Sequence, residues 1–115
     1  MINKVEIQGN IGKDPELKYT AGRKAVASFS LAHNRGTKEN PHTDWFDIKA
    51  WEGLADKVMN TFRKGNKVLV IGRIQIREWQ NKEGHKVKQF EIVANDVQLV
   101  LSNKQPQPGA LDDEF

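Results

Sequence analysis

The chain has 115 residues, 37% hydrophobic and 29% charged, with no cysteine and a net charge of +3. That is the size of one domain with a real core. It excludes disulfides and thiolate metal sites, and no run approaches the roughly 20 apolar residues of a membrane-spanning helix. The charge is unevenly spread: all 18 Lys and Arg lie at or before Lys104, and 3 of the 15 acids (Asp112, Asp113, Glu114) close the chain, so a body of +6 precedes an end of −3. A basic body suits a polyanionic partner.

The N-terminus passes directly into an alternating pattern without the shape of a signal peptide, and the absence of cysteine is compatible with a reducing cytosol. Over Lys4 to Gly12, Val5, Ile7 and Ile11 face one way and Lys4, Glu6 and Gln8 the other. Gly9 and Gly12 suggest a bulge or sharp bend. Gly12-Lys13 is not a phosphate-binding loop, because two residues rather than four separate its glycines and Asp14 follows the lysine.

Asp14-Pro15 signals a turn, Glu16 to Thr20 fits a short strand, and Ala25 to Asn34 a long one with Ala25, Ala27, Phe29 and Leu31 on its apolar side. Arg35 to His42 reads as an exposed connection. Thr43 to Trp51 follows as a strand whose parity is informative: Phe46, Ile48 and Ala50 share an apolar face, while Trp45, Asp47, Lys49 and Trp51 share the other. A face that carries Asp and Lys meets water, and here it takes two tryptophans with it.

The period then changes. Leu54, Ala55, Val58, Met59 and Phe62 recur at helical spacing, and Arg63-Lys64-Gly65 reads as a basic last turn and a glycine stop. Lys67 to Glu78 is strand again, with Leu69 and Ile71 opposite Val68 and Val70, a half expected to be covered on both sides. Farther along, Arg73, Gln75, Arg77 and Trp79 share one parity. Asn81 to Gly84 reads as a hairpin tip with Gly84 at positive φ. Lys86 to Leu101 is the last strand, bent near Asn95-Asp96. From Ser102 onward Gln, Pro and Gly dominate.

Three strands, one helix and two strands predict an all-β chain: a five-stranded OB-type barrel with one helix between strands 3 and 4. The predicted division is a barrel domain over 1–102 and a short disordered linker with an acidic tip over 103–115.

Asn3-Lys4-Val5, Gly9 to Tyr19, Ala25-Val26-Ala27, Asp44-Trp45, Arg63-Lys64-Gly65 and Val70 to Ile74 carry a resemblance to the bacterial single-stranded DNA-binding protein family. The resemblance implies an OB fold, a homotetramer in the cytoplasm associated with the nucleoid, and coating of single-stranded DNA in replication, recombination and repair. It also implies that the tip Asp112, Asp113, Glu114 and Phe115 recruits genome-maintenance proteins. The chain departs from the family pattern in two places. Arg35 to His42 has no aromatic, and the end Leu111 to Phe115 follows a short linker and has no proline before its final Phe.

The candidate DNA contacts are Trp45, Trp51 and Trp79 as stacking platforms, and Lys18, Lys49, Lys64, Arg73 and Arg77 as cations along the backbone. The plain alternative for each tryptophan is core or subunit-interface packing. For Lys64 it is the end of a helix, and for Lys82, Lys86 and Lys88 it is edge lysines that discourage strand pairing. About six neutralised phosphates predict a slope near −4 for log affinity against log salt. His33, His42 and His85 are scattered, Ser28 and Ser30 have no adjacent base, and no catalytic or metal-binding constellation or cofactor is read. The rival readings are a primosomal or RNA-binding OB-fold module and a protein-interaction adaptor that uses the tryptophans as its interface.

Overall fold

Among the described residues six strands and one helix follow one another as β1 (Val5–Ile11), β2 (Glu16–Tyr19), β3 (Ala25–Gly36), β4 (Pro41–Trp51), α1 (Gly53–Thr61), β5 (Lys67–Gln80) and β6 (Lys86–Leu99). The computed structural model describes residues 1–100. The boundary placed at 102, the linker, and the tip Asp112 to Phe115 lie outside the described residues.

The sheet order is β1-β5-β6-β4-β3-β2, and β1 returns to pair with β3 through Asn10↔Ala32 and Ile11↔Leu31. Five strands therefore close on themselves as an OB-fold barrel, while β2 lies as a short extra edge along β3. Counted over barrel strands, α1 falls between the third and fourth, as the sequence predicts. Ile11, Leu31, Ile48, Val70, Ile92 and Val97 fill the interior and are at most 1% exposed. Ala55, Val58 and Phe62 extend that core from the helix side, so α1 closes the barrel with its apolar stripe. Truncating a side chain as deeply packed as Phe62 to Ala costs about 3–5 kcal/mol.

β5 and β6 form one long antiparallel ribbon from Val68↔Leu99 to Gln80↔Lys86. Only its lower half belongs to the barrel; Ile74 and Ile76 are exposed farther along, so the upper half is an arm. At the tip, Gly84 has φ +81, as its place in the hairpin predicts. The Asn81 side-chain oxygen accepts from the backbone N–H groups of Glu83 and His85, both at 3.0 Å, an Asx-type closure of the turn.

Four local expectations change. The bulge is not in β1 but in β6: Ile71 pairs with Asp96 and Gly72 with Ala94, which leaves Asn95 as the extra residue. It shifts the inward parity of β6 from Ile92 and Ala94 to Val97, the bend expected near Asn95-Asp96. The connection expected over Arg35 to His42 is shorter, because β3 and β4 run to Gly36 and Pro41. Leu69 and Ile71 are only half-buried, their neighbours Gln8, Glu6, Gln98 and Asp96 being polar. The basic last turn is also absent: α1 ends at Thr61, Phe62 is extended, and Arg63 and Lys64 follow the helix. Arg63 still reaches back, its Nη1 donating to the carbonyls of Met59 (2.7 Å) and Phe62 (2.8 Å), so the cation caps the helix end from outside it.

Candidate nucleic-acid interface

Strand register places the candidate residues row by row. On β4 the inward side chains Ile48 and Ala50 are fully buried, which turns Trp45, Asp47, Lys49 and Trp51 outward. Lys49 pairs with Val93 of β6, and Val93 with Arg73 of β5. Directly paired residues share a face, so Arg73, Gln75, Arg77 and Trp79 continue the surface on which Trp45 and Trp51 stand. On the other side Lys18 pairs with Val26 and Val26 with Trp51, which brings Lys18 into the row of Trp51.

All three tryptophans are thus on one outer surface: Trp45 is 61% exposed, and Trp51 and Trp79 are each 38% exposed. Trp45 and Trp51 are six residues apart on one strand, about 20 Å at the strand rise. Trp45 lies over Gly12, where a Cβ would stand 2.5 Å from the indole Cζ3. Trp51 ends β4 immediately before Glu52, whose φ of 55 turns the chain from strand into helix. Trp79 stands near the arm tip opposite Val87, with the Arg77 guanidinium 4.7 Å from its ring centroid.

β4 and β6 pair at only two positions, Ile48↔Ile92 and Lys49↔Val93, and then diverge. The divergence opens a cleft of about 280 Å³ beside Trp45, lined also by Ser30, Asp47, Gln89 and Phe90. Phe46 lines it too and meets Phe90 edge-to-face, with centroids 6.2 Å apart.

The surface also carries acids: Asp47, which parity along β4 already placed there, and Glu91 of β6, which only the hairpin register brings to it. Asp47 lies 3.6 Å from Lys49, and Glu91 lies 3.7 Å from Nε of Arg77. Two of the five candidate cations are therefore already paired. Lys18 and Arg73 have no ion pair among the described residues, and neither has Lys64. Lys64 sits off the sheet in the segment after α1, its backbone N–H donating to Asp14 Oδ1 at 2.7 Å, which ties it to the β1–β2 loop at the margin of the face.

The histidines form no cluster with carboxylates, and His33 Nδ1 is engaged with the Gln8 carbonyl at 2.8 Å. Among the described residues no three His, Asp or Glu side chains gather at metal-binding distance. Among them, too, no helix is long and apolar enough to cross a membrane. What the surface offers is flat aromatic area, flanked by cations and open to solvent, the combination that accepts stacked bases and a charged backbone together.

A family model described as the single-strand binding protein family matches residues 2–100. The Single-stranded DNA-binding protein of Enterococcus faecalis is 41% identical over 105 residues, covering 89% of this chain and 56% of the relative. Single-stranded DNA-binding protein 3 of Streptococcus agalactiae is 37% identical over 110 residues, 93% of this chain and 80% of the relative. The chain thus spans little more than half the length of the first of these. A solved structure titled Plasmodium falciparum SSB complex with ssDNA superposes with a TM-score of 0.78 at 28% identity, over 87% of this chain and 96% of the other.

Proposed function

The chain belongs to the single-strand binding protein family, and from that premise we propose that it binds single-stranded DNA with little regard to sequence. Trp45, Trp51 and Trp79 stack bases, while Lys18, Lys49 and Arg73 accompany the backbone and Lys64 meets it at the margin. The observation that carries this reading is the common outward side of all three tryptophans, in a register that also brings Lys18 and Arg73 to them. The relatives named for single-stranded DNA and the solved complex with ssDNA support it. Every base has a π-face, so a stacking surface is sequence-tolerant, and no chemical step is required of it.

The same reading extends to a homotetramer that coats exposed strands during replication, recombination and repair. The tip Asp112, Asp113, Glu114 and Phe115 recruits genome-maintenance proteins, its acids and terminal Phe suited to a basic-rimmed pocket.

Titration with poly(dT) at low salt tests the proposal through tryptophan fluorescence. Strong quenching is expected, because stacked bases quench indoles; unchanged fluorescence overturns the assignment.

A further inference from the structure

We infer that Glu91 is a positioning residue: it pins the Arg77 guanidinium against the indole of Trp79, so that Arg77 acts as a wall of that stacking platform and not as a clamp on phosphate. The inference rests on the DNA-binding reading above and refines it.

The geometry begins with the ribbon register. Gln75 pairs with Glu91, Arg77 with Gln89 and Trp79 with Val87, so Glu91, Arg77 and Trp79 form a diagonal across one face of the arm. Arg77 Nε lies 3.7 Å from Glu91 Oε1, and its guanidinium carbon 4.7 Å from the Trp79 centroid. One guanidinium therefore serves the carboxylate and the ring at once, which its planar, weakly hydrated form permits and a lysine ammonium would not.

Burial decides how firmly it is held. Glu91 is the single charged residue buried among the described residues, at 7% exposure, whereas the Arg77 side chain is 55% exposed. Arg77 is also the one cation within ion-pair distance of Glu91 among them. Were Arg77 to move to a phosphate, the carboxylate would be left without its counter-charge where water cannot replace it, and it would repel the same phosphate. The neighbouring pair is different. Asp47 and Lys49 are 33% and 25% exposed, so water can take over at Asp47 when Lys49 turns to the DNA. An incoming strand thus finds Lys49 available and Arg77 engaged, and the base at Trp79 stacks on the ring face that Arg77 leaves open.

Two measurements on the full chain test this. The first needs no DNA: in a chain whose one tryptophan is Trp79 (Trp45→Phe with Trp51→Phe), acrylamide quenching reads how much of the ring is open. Adding Glu91→Gln should raise the quenching constant by up to about twofold, since one of the two ring faces loses its cover. The second uses the chain with all three tryptophans. Glu91→Gln should steepen the slope of log affinity for oligo(dT) against log salt by about 0.7, the increment of one new phosphate contact on a single strand. Arg77→Lys keeps a cation beside Glu91 and so preserves the ion pair; it should raise acrylamide quenching and leave the slope unchanged, which decides the matter if Glu91→Gln does not fold. Unchanged quenching in folded Glu91→Gln, or in Arg77→Lys, overturns the positioning role, and an unchanged slope in folded Glu91→Gln overturns the withholding of Arg77 from phosphate. If the parent chain does not bind oligo(dT), the DNA-binding reading fails, while the acrylamide comparison still decides whether Glu91 holds Arg77 in place.

Discussion

The indole of Trp45 rests on Gly12, so close that a methyl group at position 12 would fall 2.5 Å from Cζ3 of the ring. The glycine immediately after β1 is thus the seat of the most exposed of the three tryptophans. Gly12→Ala should displace the ring, and because the ring is the solvent-exposed end of a side chain it can swing away at small cost. Thermal unfolding should change by less than about 1 kcal/mol. Affinity for oligo(dT) should fall on the order of 1 kcal/mol, part of the value of a stacked base. A large loss of stability with unaltered affinity would reverse the roles assigned to the pair.

Removing a platform outright should cost more. Trp45→Ala and Trp79→Ala should each weaken oligo(dT) binding by about 1–3 kcal/mol while leaving the unfolding transition close to that of the parent, because neither ring belongs to the barrel core. Fluorescence or anisotropy titration beside a urea melt measures both quantities. A loss below 0.5 kcal/mol, on the order of an ordinary surface substitution, would return these rings to a structural role.

The ion pairs on the surface revise the salt dependence. Neutralising about six phosphates would give a slope near −4. With Arg77 held by the buried Glu91 and Lys49 free to leave the more exposed Asp47, the available candidates are Lys18, Lys49, Lys64 and Arg73, and four contacts predict a slope of about −3. Affinity measured over a range of NaCl concentrations discriminates between the two values. Asp47→Asn should raise affinity and leave the slope unchanged, because Lys49 already meets the phosphate in the parent.

Away from the face, Asp96 joins β6 to α1. Its Oδ2 accepts from Gln98 Nε2 at 2.9 Å, and its Oδ1 from Lys57 Nζ at 3.1 Å and from the Val97 N–H at 2.9 Å. The Gln98 hydrogen bond foremost, and then that of Lys57, holds its carboxyl below the usual carboxylate range. A carboxyl whose folded value is depressed stabilises the fold above its ordinary value near 4, and that contribution is lost as pH falls from there through the depressed value. Asp96→Asn should therefore remove part of the acid sensitivity of unfolding in that window. The pair is solvent-exposed, so its cost at pH 7 should stay under about 1 kcal/mol. Urea unfolding of both chains at pH 7 and pH 3 checks the sign: the gap between them should be wider at pH 7.

Much of this surface was legible before any coordinates. Alternation over Trp45 to Trp51 forces Ile48 and Ala50 inward and the indoles outward, and nothing in the folded barrel disturbs it, because a strand with one buried face has only one acceptable parity. The same rule carried Arg73, Gln75, Arg77 and Trp79 together. Gly84 was readable from turn chemistry alone. Lys64 was misplaced because periodicity ended with Phe62 and gave no reason to stop α1 at Thr61. There the chain leaves the helix to donate Lys64 N–H to Asp14, and Gly65 N–H to Ile11 O at 2.7 Å, partners that are distant in sequence.

Local order along the chain, then, determined the succession of strands, the position of the helix and the outward side of each tryptophan, because side-chain direction in a strand follows from spacing. Only the tertiary structure decided that Gly12 lies beneath Trp45, that Glu91 holds Arg77 to Trp79, and that Asp47 engages Lys49 on the face. The first two depend on which strands lie side by side and at what offset, a choice made by barrel closure and the hairpin turn. The third depends on the rotamers that two neighbouring side chains adopt in the finished sheet. No periodicity in one strand contains that information.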